Sequence, residues 1–180
     1  GQADAPWYSY APRFIAPFDP GADPPPVAAP AEFWIKATFT DPHVFFIGCD
    51  LTYLRSYGKQ FLRSIDDVCA DAQIHLHLMD AADDARAEIE ALAASLSRSR
   101  IAVTREHLGF ADAPAPVRGC IYTIARMRIA MRCSGYYQKY VWMMDADALF
   151  NHDPRTLVDA LGVLDVAAIL LPAFEPWLLF

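Results

Sequence analysis

Tyr140-Val141-Trp142-Met143-Met144 is an unbroken apolar and aromatic run that ends in Asp145-Ala146-Asp147 and continues as Ala148-Leu149-Phe150. This is the pattern of a buried strand that stops in a charged turn. Side chains alternate along extended backbone, so Asp145 and Asp147 fall on one side of the strand's tip, about 7 Å apart if fully extended. Two carboxylates this close repel each other unless a cation lies between them, and oxygen ligands favour a hard divalent ion, Mg²⁺ or Mn²⁺. Asp145 and Asp147 are therefore candidate metal ligands, the alternative being a pair of solvated turn aspartates. Asn151 to Pro154 punctuate the turn, and Asp153-Pro154 opens a predicted helix that runs to about Leu161.

Working outward, the same grammar recurs earlier in the chain. His43 to Cys49 is almost wholly apolar and also ends in a carboxylate, Asp50. Residues 51 to 69 carry Leu51, Leu54, Phe61, Leu62, Ile65 and Cys69 at near-helical spacing. Ala72 to Met79 alternates and reads as a second strand with His75 and His77 on one face. Without a third ligand beside them, these are read as half-buried strand residues and not as a metal pair. Asp83 to Leu96 predicts a helix, Ile101 to Val103 a short strand, Glu106 to Pro116 an irregular loop, and Arg118 to Cys133 a long helix. After the Asp145 turn and its helix, Val166 to Leu171 predicts a last strand. Strands alternating with helices imply an α/β fold: a largely parallel sheet with helices on both faces. Ligands of such sheets sit beyond the carboxyl ends of the strands, where Asp50 and Asp145 both fall.

The chain has 180 residues, 54% of them apolar, enough for one domain with a sizeable core. Its net charge of −7 leaves no basic stripe for a nucleic-acid backbone. Cys49, Cys69, Cys120 and Cys133 are widely spaced, which predicts buried thiols in a reducing, cytoplasmic setting and no zinc ribbon. No run is long enough to span a membrane. Residues 1–32, rich in Pro and Ala with Pro24-Pro25-Pro26, form a linker or wrapping arm; their aromatics Trp7, Tyr8, Tyr10, Phe14 and Phe18 predict that part of the arm packs on the domain, residues 33–180.

Three motifs in order resemble the GT-A (Rossmann-like) fold glycosyltransferases, in particular the family-8 type that includes glycogenin and the bacterial lipopolysaccharide galactosyltransferases. They are Phe46-Ile47-Gly48-Cys49-Asp50-Leu51-Thr52-Tyr53, Tyr122-Thr123-Ile124-Ala125-Arg126-Met127, and Val141-Trp142-Met143-Met144-Asp145-Ala146-Asp147. The resemblance covers roughly residues 43 to 171. It implies a metal-dependent transfer of a hexose from a nucleotide sugar, a UDP-sugar by analogy, to a glycan, lipid or protein acceptor of unknown identity. It assigns the Cys49-Asp50 segment to the nucleoside, with Asp50 accepting from base or ribose and Tyr53 stacking on the base. It also assigns Arg126 to the nucleotide and donor sugar, Asp145 and Asp147 to Mn²⁺ or Mg²⁺, Asp145 also to the ribose, and the Ala146 backbone to the adjoining nucleotide.

Each residue has a plainer alternative: Asp50 as a helix N-cap, Tyr53 as core or rim, and Arg126 as one of several solvent-facing helix arginines with Arg118, Arg128 and Arg132. The family's fold continues beyond the length seen here, and the closing run Pro176-Trp177-Leu178-Leu179-Phe180 is apolar. Both features predict a domain truncated at its C-terminus, with the third metal ligand and the acceptor side outside this chain. Two other functions remain open at this stage. One is a phosphohydrolase of the haloacid dehalogenase type, in which the first Asp of the pair would attack phosphate; the other is a non-catalytic interaction module on the same fold.

Overall fold

The computed structural model describes residues 29–156. Five strands form one sheet: β1 (Glu32–Ile35), β2 (His43–Cys49), β3 (Gln73–Met79), β4 (Arg100–Glu106) and β5 (Tyr140–Met144). Helix α1 (Leu51–Tyr53) runs through a π turn (Leu54–Gly58) into α2 (Lys59–Val68). Helix α3 (Arg86–Ser95) follows a short 3₁₀ turn, and α4 (Ala115–Tyr137) is the longest helix.

The spatial strand order is β1-β4-β3-β2-β5. The last four strands are parallel neighbours, as expected, while β1 pairs antiparallel with β4. The short Phe33–Ile35 run lacks a crossover helix before β2, and its direction is set by its partner, through pairs such as Glu32 with Arg105. From β2 the chain steps outward to β3 and β4, then returns to place β5 on the other side of β2, where it pairs with β2 alone among the described residues and is half-exposed, not the buried strand its apolar run predicts. This reversal opens a crevice at the carboxyl ends of β2 and β5, the place where open α/β sheets hold ligands.

The alternation along β2 explains the layers. Phe45 and Ile47 join Phe61, Leu62 and Ile65 of α2 and Ile89 and Leu92 of α3 in the main core. Val44 and Phe46 point the other way, toward α4, whose Ile129, Ala130 and Cys133 cover Phe46. Helices therefore cover both faces. Fully burying each such Phe, Ile or Leu contributes roughly 1.5–3 kcal/mol.

His75 and His77 are not half-buried. Both are fully enclosed between β3 and α4. His75 meets the Tyr137 hydroxyl at 2.7 Å through Nδ1 and Thr104 Oγ1 at 2.8 Å through Nε2, while His77 Nδ1 lies 3.0 Å from the same Thr104 oxygen. Thr104 has one hydroxyl proton to give, so one consistent order runs Tyr137 O–H to His75, His75 N–H to Thr104, and Thr104 O–H to His77. Burial pushes both imidazoles down to about 3, so they are neutral hydrogen-bonding pegs under α4. Cys49, Cys69 and Cys133 are buried as expected, whereas Cys120 is exposed on α4.

The arm up to residue 28, the strand Val166–Leu171, most of the helix that begins near Pro154, and the apolar end of the chain lie outside the described residues. Among the described residues, no helix is long and apolar enough to cross a membrane.

Candidate functional site

The crevice between the ends of β2 and β5 is a cleft of about 390 Å³. Its walls include Cys49, Asp50, Tyr53, Arg126, Asp145 and Asp147, all six drawn from the three motifs. Ala146 is the exception. It is 3% exposed and packs into the main core beneath the turn, and it is not among the residues that line the cleft.

Asp50 follows β2 directly. Its Oδ1 accepts the Tyr53 N–H at 2.7 Å and so caps α1. Its Oδ2 stands 4.0 Å from Nε of Arg118, a second cation on the wall. Capping and ligand binding are thus not exclusive, since each uses a different oxygen. Cys49 is deeply buried, and desolvation, aided by the Asp50 charge and opposed by Arg126, pushes its thiol up to about 12. It is wall, not nucleophile.

Tyr53 ends α1 and is 37% exposed at the cleft's edge, its ring 5.0 Å from that of Tyr57. Partial desolvation pushes its hydroxyl up to about 12, followed by a hydrogen bond to Asp147 and the charges of Asp147 and Asp145. The two halves of the site therefore share one cleft: a residue after β2 lies near enough to the acids after β5 to feel their charge. The π turn Leu54–Gly58 lies immediately behind, with the Lys59 N–H reaching back five residues to the Leu54 carbonyl. Such turns recur at functional sites.

The acid turn is held from below. Ala148 N–H bonds to the Asp145 carbonyl at 3.2 Å, Phe150 N–H to Ser64 Oγ at 3.1 Å, and the Phe150 ring packs 5.6 Å from Phe61. With Ala146 buried between them, Asp145 and Asp147 remain exposed above the core.

Arg126 comes from the middle of α4, which crosses the end of β2 at Gly48. A Cβ on Gly48 would stand 2.6 Å from the Arg126 Cβ, so only glycine allows this approach. From there Arg126 Nη1 donates to Asp145 Oδ1 at 2.5 Å. Its Nε is buried without a hydrogen-bond partner among the described residues.

No protein-family model, curated protein or solved structure matches the chain.

Two residues that shape the cleft, one on its wall and one behind it, were not singled out from sequence. Arg118, grouped with the outward-facing arginines, lies on the wall beside Asp50. Asp80, at the end of β3 with φ of 51°, accepts N–H groups from Leu108 at 2.5 Å, Gly109 at 2.8 Å and Phe110 at 3.0 Å, and the Tyr122 hydroxyl at 2.9 Å. Desolvation alone would raise its carboxyl, but these four donors overcome it and hold the carboxyl below its usual range. Asp80 thereby fixes the loop that leads into α4 and orients Tyr122, itself a wall residue. A carboxylate just past a third apolar strand was the available signal.

Among the described residues, no group of three or more His, Cys, Asp or Glu gathers for a metal. Two hard carboxylates on one turn beside a roomy cleft suit an ion that takes its other ligands from phosphate oxygens and water, as Mg²⁺ does.

Proposed function

We propose that this chain is the donor-binding part of a metal-dependent glycosyltransferase, holding a nucleotide sugar, UDP-linked in our reading, for transfer of its hexose to an acceptor. The observation that carries this reading is the convergence of Asp50 and Tyr53 from one strand end with Asp145 and Asp147 from another, in one cleft at the sheet's reversal point.

In this reading Tyr53 stacks on the base, and the free Oδ2 of Asp50 accepts from base or ribose. Asp145 and Asp147 would hold Mn²⁺ or Mg²⁺. Such an ion, bound with the nucleotide, stabilises the charge that develops on the diphosphate leaving group. Arg126 supplies a fixed cation on the same side, and Arg118 a second beside Asp50. Paired acids and two arginines explain how a chain of net charge −7 accommodates an acidic ligand. The Arg126–Asp145 bond also engages the first acid of the pair, which is unlike a carboxylate kept free to attack phosphate.

Calorimetric titration with UDP in the presence of Mn²⁺ tests the proposal. Binding is expected, and Asp145→Asn combined with Asp147→Asn should abolish it. No binding, or binding that the double substitution leaves unchanged, would overturn it.

A further inference from the structure

Arg126 is tied down at its root and left incomplete at its head. Its Cβ is wedged against Gly48, its Nε–H is buried without a partner among the described residues, and its Nη1 closes on Asp145 Oδ1 at 2.5 Å. The carboxylate proposed to hold a divalent ion is therefore already neutralised by a cation of the protein's own. A guanidinium and a divalent ion on one carboxylate oxygen repel each other, so each weakens the other's hold.

We propose that Arg126 guards Asp145: in the ligand-free site it occupies the carboxylate, and an incoming diphosphate draws it away, so that metal and nucleotide load together. This rests on the donor-binding reading above and adds an order of events to it. The orphaned Nε–H gives the physical reason for the exchange. Bound to Asp145 alone, the guanidinium leaves one buried donor unsatisfied, whereas anionic oxygens in the cleft offer it further acceptors. A diphosphate thus competes for Arg126 and frees Asp145 Oδ1. Because coupling between two ligands is reciprocal, metal and nucleotide should each tighten the other's binding beyond their direct contact.

The test is Mn²⁺ binding to the whole chain without nucleotide, followed by the loss of the free-ion electron paramagnetic resonance signal. Replacing Arg126 with methionine keeps the stem packed and removes the guard, so Arg126→Met should bind Mn²⁺ alone about tenfold more tightly than the parent. The rise in Mn²⁺ affinity on adding saturating UDP should be correspondingly smaller in Arg126→Met than in the parent. Arg118→Met, which removes a cleft cation that faces Asp50, should raise Mn²⁺ affinity far less. Arg126→Gln, which keeps a polar side chain but removes the charge, serves if the methionine variant melts, and its Mn²⁺ affinity should also rise. Unchanged or weaker Mn²⁺ binding after loss of the guanidinium, or an equal rise in Arg118→Met, would overturn the guard while leaving UDP–Mn²⁺ binding in place. Absence of UDP–Mn²⁺ binding in the parent would instead overturn the donor-site reading and the guard with it.

Discussion

Gly48 and Arg126 meet where β2 passes under α4, and a single added Cβ at position 48 would stand 2.6 Å from the Arg126 Cβ. Both atoms belong to rigid elements, so the contact can be relieved only by moving helix or strand. Gly48→Ala should therefore destabilise the fold by about 1–3 kcal/mol, the usual cost of overpacking. Urea unfolding would measure the loss, and UDP affinity should fall with it because Arg126 is displaced.

Tyr53 separates ring from hydroxyl. If the ring is the platform for a base, Tyr53→Ala should weaken UDP binding by about 1–3 kcal/mol, the range for base–aromatic stacking. Tyr53→Phe should retain most of the affinity, since stacking uses the ring and not the hydroxyl. Equal losses in the two variants, read by calorimetry, would argue against stacking.

The buried histidines predict acid sensitivity. In the folded state both stay neutral down to about pH 3, whereas in the unfolded chain they take up protons as pH falls through 6.5. Their contribution to stability is thus complete above about pH 6.5 and is lost progressively as pH falls toward 3. Within that window the unfolding free energy should drop by as much as about 2.7 kcal/mol per pH unit, two protons' worth. His77→Asn should halve that slope in urea titrations run at successive pH values.

Asp80→Ala would leave three backbone N–H groups and the Tyr122 hydroxyl without their shared acceptor. The Asp80 side chain is 2% exposed, so water does not readily replace it. A loss of about 2–4 kcal/mol is expected, as for a buried hydrogen-bonded charge. Tyr122→Phe removes one of the four donors and should cost about 1 kcal/mol. Hydrogen exchange should show Leu108, Gly109 and Phe110 losing protection in Asp80→Ala.

The four parallel strands and the cleft at their ends were legible because apolar runs that stop in carboxylates carry both kinds of information at once. His43–Cys49 announces burial and Asp50 where it stops; Tyr140–Met144 carries the same apolar signal, yet it lies at the sheet's edge among the described residues and stays half-exposed, so there the run marked the strand and its end but not its depth. The direction of β1 was not legible, because a four-residue strand takes its sense from the partner it meets. The depth of His75 and His77 escaped for a related reason. Alternation places them on a face, but only the arrival of α4, with Tyr137 some 62 residues away, closes that face and supplies a hydrogen-bond partner. Asp80 likewise works through N–H groups 28 to 30 residues downstream. Its neighbours in sequence do not mark it.

The π turn behind Tyr53 gives the helix one residue more than an α-helical path would use over the same span. Wound as ordinary α-helix with no residue removed, the same segment would turn everything before it by about 100° relative to α2. Tyr53 would then swing off the cleft while the core under α2 stayed in register. The looser winding at this one point is thus a separate setting for where the aromatic platform faces, independent of every side chain that lines the site.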